Sequence, residues 1–221
     1  MKLAIFDVDG TLVDSQALIV GAMARGYESC DLQPPSREQV LSIVGLSLTE
    51  AISTLSPDLA PDDVARLVTA YKDSFVALRA ETGGEASIQL YPGAIEALER
   101  LDRAGWLLGV ATGKSRRGLD HLFAAHDLRR FFVTSQTADF HPSKPHPAMV
   151  ETALAEAGVE PSMAVMIGDT TFDMQMGRAA GVRALGVEWG YHPVEHLHAA
   201  GAQQIIGHFD EIDGALEALW A

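Results

Sequence analysis

Short, continuously apolar runs recur along this chain, separated by stretches with helical spacing. Leu3-Ala4-Ile5-Phe6 stops abruptly at Asp7-Val8-Asp9-Gly10, the pattern of a strand buried on both faces that ends in a turn. Similar runs lie at 107–111, 131–133, 164–167, 184–187 and 204–206. Helical patterns at 94–104, 116–126, 148–157, 172–180 and 212–219 fall between them, and Gly105, Gly158 and Gly181 stand where a helix would stop. Strands that alternate with helices predict an α/β fold built on a doubly wound parallel sheet.

One stretch breaks the alternation. From Gln16 to Glu85 no strand pattern occurs, while Val64, Leu67, Val68, Tyr71, Phe75 and Leu78 keep helical spacing after Pro61 and an acidic first turn. The expectation is an all-helical domain over 15–85, inserted into an α/β core made of 1–14 and 86–221. Thr82-Gly83-Gly84-Glu85 and the turn from Gly10 to Ser15 are its expected hinges.

Composition narrows the function. The 221 residues are 48% hydrophobic and 21% charged, enough apolar surface to build a core. No apolar run reaches the ~18 residues of a membrane span, and the first run is too short for a secretory leader. The single cysteine, Cys30, allows no internal disulfide and suits a reducing cytoplasm. Thirty acidic residues against 16 basic ones give a net charge of −14, which disfavours nucleic acid and anionic membranes as partners. A small anionic substrate needs a local cluster of cations, which draws attention to the four lysines, Lys2, Lys72, Lys114 and Lys144.

In open parallel sheets ligands bind beyond the carboxyl ends of the strands. Asp7 and Asp9 follow the first predicted strand, Thr112-Gly113 the second, and Asp169 and Asp173 the strand over 164–167; Lys144 precedes the helix opened by Pro147. Crowded carboxylates call for a divalent cation, and an all-oxygen set favours magnesium over zinc. A carboxylate beside such a metal, faced by an ammonium and backbone N–H groups, can attack a phosphoryl group and carry an aspartyl phosphate. A lone Asp in such a loop would be read as a helix cap; an ordered set of four is not explained that way.

Asp7-Val-Asp-Gly-Thr-Leu-Val-Asp14-Ser15, the strand ending Ala111-Thr112-Gly113, the loop Ser143-Lys144-Pro145-His146-Pro147 and Gly168-Asp169-Thr-Thr-Phe-Asp173 resemble, in order, the four motifs of the haloacid dehalogenase superfamily. Tyr91-Pro92-Gly93 and Trp189-Gly190-Tyr191 are similar to its phosphoglycolate phosphatase-like branch. The resemblance implies a Rossmann-like core with a helical cap between the first two motifs. It implies a cytoplasmic Mg²⁺-dependent phosphatase, monomeric or homodimeric, acting on a small phosphorylated metabolite. Asp7 would be the nucleophile and a metal ligand, and Asp9 the general acid and base with its backbone carbonyl on the metal. Thr112 and the Gly113 amide would hold phosphoryl oxygens, Lys144 would balance charge, Asp169 would ligate the metal, and Asp173 would do so directly or through water. Phosphoglycolate, pyrophosphate, nucleotides and sugar phosphates all remain open as substrates.

The segment Val44-Gly45-Leu46-Ser47-Leu48 matches the family's specificity loop, so Gly45, Leu46 and Ser47 are expected to touch substrate. It carries no charge. In the resembling sugar phosphomutases a basic residue stands in this loop and a histidine shortly after the first motif; here Val44 or Leu48 and Ile19 take those places, which weakens the alternative of a mutase. Lys72 reads as solvated surface; Lys114, Arg116 and Arg117, at the opening of a helix directly after Thr112-Gly113, read either as a solvated helix face, which is favoured, or as cations of which one steers substrate; His192 and His196 read as surface histidines separated by a helix-interrupting Pro193. Trp106, Met166, Met174 and Met176 read as packing residues.

Overall fold

The computed structural model describes residues 1–84 and 88–221. In chain order these form β1 (Leu3–Phe6), β2 (Val13–Asp14), α1 (Gln16–Ser29), α2 (Arg37–Leu41), α3 (Leu48–Leu55), α4 (Pro61–Glu81), β3 (Gln89–Leu90), α5 (Ala94–Arg103), β4 (Leu107–Thr112), α6 (Arg116–His126), β5 (Phe132–Thr137), α7 (Ala148–Ala157), β6 (Ala164–Gly168), α8 (Thr171–Ala179), β7 (Arg183–Val187), α9 (Val194–Ala200), β8 (Gln204–Ile206) and α10 (Ile212–Leu219). Six strands make one sheet in the order β5-β4-β1-β6-β7-β8, and every neighbouring pair is parallel. This is the doubly wound sheet that the apolar runs predict.

The continuous apolar character of β1 follows from burial on both sides. Ala4 and Phe6 join the apolar layer beneath α5, α6 and α10, whereas Leu3 and Ile5 join the layer beneath α7 and α8, and all four are fully buried. Met166 and Met176 pack in the second layer and Met174 beside Leu197 of α9, as packing residues should. Chain connections run from β1 toward β4 and β5 on one side and from β6 toward β7 and β8 on the other. The crevice therefore opens between the carboxyl ends of β1 and β6.

Helices α1 to α4 pack around a separate apolar cluster that includes Met23, Tyr27, Ile52 and Leu67. Two-residue strands β2 and β3, on either side of these helices, pair antiparallel through Val13↔Leu90 and Asp14↔Gln89. The chain on both sides is thus tied by a ladder where only a turn and a glycine-rich hinge are expected, because two residues are too few to show a period of two. Gly83 and Gly84 do adopt positive φ. Glu85 and the boundary between 85 and 86 lie outside the described residues.

Two other differences have local causes. The fifth strand runs over Phe132–Thr137 rather than 131–133, since it lies at the sheet edge and does not need an apolar sequence. Its Thr134 Oγ1 and Gln136 Nε2 instead donate to Glu156 of α7. Helix α9 begins after Pro193 and buries only Leu197, too little for a periodic signal.

Candidate active site

Three strand ends and one loop converge on the crevice. The register of β1 on β6 sets Phe6 beside Ile167, and the Asp7 N–H donates to the Ile167 carbonyl (2.9 Å), so Asp7 and Asp169 emerge side by side. Asp173 closes the first turn of α8: its Oδ2 accepts from Thr170 N–H (3.0 Å) and from Thr170 Oγ1 (2.7 Å). Oxygens of Asp7, Asp169 and Asp173 lie within 4.8 Å of one another, and all three residues are buried. Asp169 is held by Thr11 Oγ1 (2.8 Å) and the Tyr191 N–H (2.9 Å). Gly10 has φ +84°, and a Cβ there would stand 2.2 Å from Asp169 Oδ2, so the Asp-Gly turn requires glycine twice over.

Lys144 is fully buried against this cluster, its Nζ 2.9 Å from Asp7 Oδ1 and 2.7 Å from Asp173 Oδ1. Burial acts downward on this lysine, but Asp173 and Asp7 outweigh it and the ammonium is held charged. Burial pushes the Asp7 carboxyl up to about 7, with Lys144 pulling against the rise and Asp173 and Asp9 adding to it. Burial, then Asp173 and Asp7, raise Asp169 well above the carboxylate range, against its hydrogen bonds from Tyr191 and Thr11.

Apart from the Lys144 ammonium on Oδ1, the two buried Asp7 oxygens have no hydrogen-bond donor among the described residues. A carboxylate with one oxygen unanswered, beside a second buried carboxylate, forms a donor set that fits a hard divalent cation. Asp173 is differently placed from Asp7. Its Oδ1 accepts from Lys144 and its Oδ2 from Thr170, so protein donors already engage both oxygens.

Asp9 turns away from the three carboxylates. Its Oδ1 accepts from Ser15 Oγ (2.5 Å) and pairs with Lys114 Nζ at 3.0 Å. Lys114, expected on a solvated helix face, is only 10% exposed in its side chain. The reason is the helix start: Ser115 caps α6 by accepting from the Gly118 N–H, which leaves Lys114 before the helix. Its ammonium lies 5.7 Å from the Phe75 ring of α4. Its position directly after Thr112-Gly113 is the signal behind the less favoured expectation of a cation that faces the site. Arg116 does pair along its own helix, with Asp120 at 3.4 Å.

Thr112 is buried at the end of β4. Next to it, a Cβ on Gly113 would come within 2.6 Å of the carbonyl oxygens of Gly45 and Leu46, so the loop 44–48 seats directly on this glycine. The Ser47 N–H donates to Ser143 Oγ (2.8 Å), beside Lys144. Asp7, Asp9, Thr112, Gly113, Gly45, Leu46 and Ser47 consequently line one cavity of about 600 Å³. The loop is uncharged as expected, and Lys72 is exposed as expected, but Lys72 and Arg79 of α4 also line the cavity, so the helical side is not neutral. His192 is likewise no simple surface histidine. Half-buried, it accepts the Thr171 N–H on Nδ1 (3.1 Å) and donates from Nε2 to the Ser42 carbonyl (3.2 Å), joining α8 to the segment after α2; His196 is exposed. Among the described residues, no helix is long and apolar enough to cross a membrane.

Comparison with known proteins agrees with this geometry. Residues 4–187 match the model of the haloacid dehalogenase-like hydrolase family. The chain is 34% identical over 219 residues to "Probable phosphatase IndB" of Dickeya dadantii, covering 98% of this chain and 94% of that one. It is 28% identical to a phosphoglycolate phosphatase of Vibrio parahaemolyticus, over 96% of this chain and 94% of the other. A hydrolase from Pseudomonas syringae has the same fold, with TM-score 0.86 at 23% identity over 99% of both chains. The chain belongs to the haloacid dehalogenase-like hydrolase family, and is an enzyme whose relatives, matched nearly end to end, are phosphatases.

Proposed function

We propose that the protein is a Mg²⁺-dependent phosphomonoesterase that acts on a small phosphorylated metabolite through an aspartyl phosphate on Asp7. The observation that carries this reading is the buried Asp7 carboxylate, which a fully buried ammonium answers on one oxygen at 2.9 Å and which has no other donor among the described residues. One Asp7 oxygen is then available for attack, and the other, with Asp169 and the Asp9 backbone carbonyl, would hold the metal. Asp173 supports the set by fixing Lys144. When bound, Mg²⁺ supplies positive charge against the crowded carboxylates and the phosphoryl oxygens.

The remaining steps belong to this chain's residues. The Thr112 hydroxyl, the Gly113 N–H and the Lys144 ammonium orient the phosphoryl oxygens. An Asp7 oxygen forms a bond to phosphorus as the ester P–O bond breaks, and Asp9 gives its proton to the leaving oxygen. Asp9 then takes a proton from water, whose oxygen attacks phosphorus and releases inorganic phosphate and the Asp7 carboxylate. Residues 15–85 act as a cap that excludes bulk water and reads the ester through Gly45, Leu46 and Ser47. Ile19 lines the cavity as an apolar side chain and cannot accept a proton from a sugar hydroxyl, which supports water as the final acceptor. The test supplies para-nitrophenyl phosphate, and separately glucose 1-phosphate with a bisphosphate primer, to the Mg²⁺-loaded enzyme. Release of free phosphate is expected; glucose 6-phosphate accumulating faster than free phosphate would replace the phosphatase by a mutase.

A further inference from the structure

The cavity above Asp7 carries more positive charge than the phosphoryl step uses. Lys72 and Arg79 reach it from α4, Lys114 from the residue before the α6 cap, and Arg117 and His121 from α6. Lys144 already answers Asp7 and Asp173, Lys114 answers Asp9, and Arg79 donates to His121 Nδ1 at 3.3 Å. Lys72 and Arg117 are exposed and have no ion pair or hydrogen bond among the described residues. Beyond Asp7 and Asp9 the described lining holds one further acid, Asp139, which accepts the Arg116 N–H, so in a chain of net charge −14 the unpaired cations contributed by two separate elements leave this cleft locally positive. The wall beside them is apolar and partly aromatic: Tyr71 and Phe75 have ring centroids 5.9 Å apart, and Val68 and Met23 line the same space. At about 600 Å³ the cavity has the size of a site for a whole metabolite rather than a phosphoryl group alone.

Building on the phosphatase reading, we propose that the α4/α6 cleft is a second anion subsite, read by Lys72 and Arg117, for a phosphomonoester whose apolar or aromatic body carries a further carboxylate or phosphate group. The body lies along Tyr71 and Phe75. The second anion meets Lys72 and Arg117 at the mouth, and Lys114 stands between this subsite and Asp9.

The test measures kcat/KM of the Mg²⁺-loaded protein on four aryl phosphates: para-tolyl, para-(carboxymethyl)phenyl, para-(phosphonomethyl)phenyl and para-(aminomethyl)phenyl phosphate. The two anionic esters are expected to exceed the tolyl ester by about tenfold, with the margin shrinking as salt is added. Which of the two is preferred distinguishes a carboxylate from a phosphate as the natural group. The Lys72→Glu/Arg117→Glu double variant, changed at two exposed positions, should reverse the order of the carboxymethyl and aminomethyl esters. Equal rates on tolyl and anionic esters in the wild type, or an unchanged order in the double variant, would overturn the subsite. If no ester is cleaved, the phosphatase reading fails. The subsite is then judged by binding of benzylphosphonate with and without a para-carboxymethyl group, and equal affinity overturns it.

Discussion

The rim of the sheet and the cleft beside it treat charge in opposite ways. At the rim, Asp7, Asp169, Asp173 and Lys144 are each no more than 1% exposed and are held by one another, by Thr11, Thr170 and the Tyr191 N–H. Across the cleft, Lys72 and Arg117 stand in solvent on helices from different apolar clusters. A buried charge must be answered on the spot or the fold suffers, so the rim is rigidly specified. An exposed charge costs little to change, so Lys72 and Arg117 can vary without disturbing the rim.

The strongest way to break this comparison is at the nucleophile. Asp7→Asn keeps the shape but cannot form the acyl phosphate, and should lower kcat by roughly 10⁴-fold or more on every ester, whatever its body. Steady-state release of phosphate checks this, and activity near wild type would remove the covalent route. Asp9→Asn should be milder on para-nitrophenyl phosphate than on an alkyl ester, because only the poorer leaving group needs a proton.

Lys144→Ala is expected to cost both activity and stability, since it leaves Asp7 and Asp173 buried without a cation. Removal of one partner from a buried pair costs about 3–5 kcal/mol, and denaturant titration of the metal-free protein measures it. Lys72→Ala, by comparison, should leave the denaturation midpoint nearly unmoved. Equal losses at both positions would erase the contrast between rim and cleft.

Next in size is the interplay of metal and pH. In the metal-free protein Asp7 is raised from the usual carboxylate value to about 7. The folded state therefore holds a proton that the unfolded chain releases, so this contribution is complete below about 4 and is lost as pH rises through about 7. Addition of Mg²⁺ should raise the thermal midpoint more at pH 8 than at pH 5, read by differential scanning calorimetry. A metal effect independent of pH would mean that the cation does not sit on these carboxylates.

His192 carries the smallest expected effect. Burial lowers its pKa below the ordinary histidine value, so the neutral ring is favoured in the folded state. Its contribution is present above about 6.5 and is lost as pH falls through the lowered value, when Nδ1 gains a proton and can no longer accept from Thr171. His192→Gln should flatten the midpoint between pH 7.5 and 5.5 by roughly 1 kcal/mol or less. An unchanged pH profile would show that this contact between α8 and the segment after α2 is not coupled to stability.

The rim's carboxylates were legible because each stands next to the end of an element that leaves a mark in sequence, whereas Lys144 lies in a loop. Asp7 and Asp169 terminate apolar runs, Thr112 ends a third, and Asp173 follows Thr170 at the capping-box spacing. Lys114 was misread because helix spacing describes side chains within a helix, whereas the Ser115 cap leaves it outside one. The two-residue ladder of β2 on β3 and the single buried side chain of α9 fall below the length at which periodicity means anything.

The parallel sheet, the run of helices between Gln16 and Glu81 and the position of acidic residues at strand ends could be read from the sequence alone, because strand burial on both faces and strand-end polarity are local properties of neighbouring residues. Only the tertiary structure decided that Lys114 faces Asp9, that Gly113 lies under the carbonyls of Gly45 and Leu46, and that Lys72 and Arg117 share a cleft. Those relations join residues distant in the chain, the first between the ends of two neighbouring strands and the other two across separately packed apolar clusters, and their distances depend on how those elements sit against each other, which no local pattern encodes.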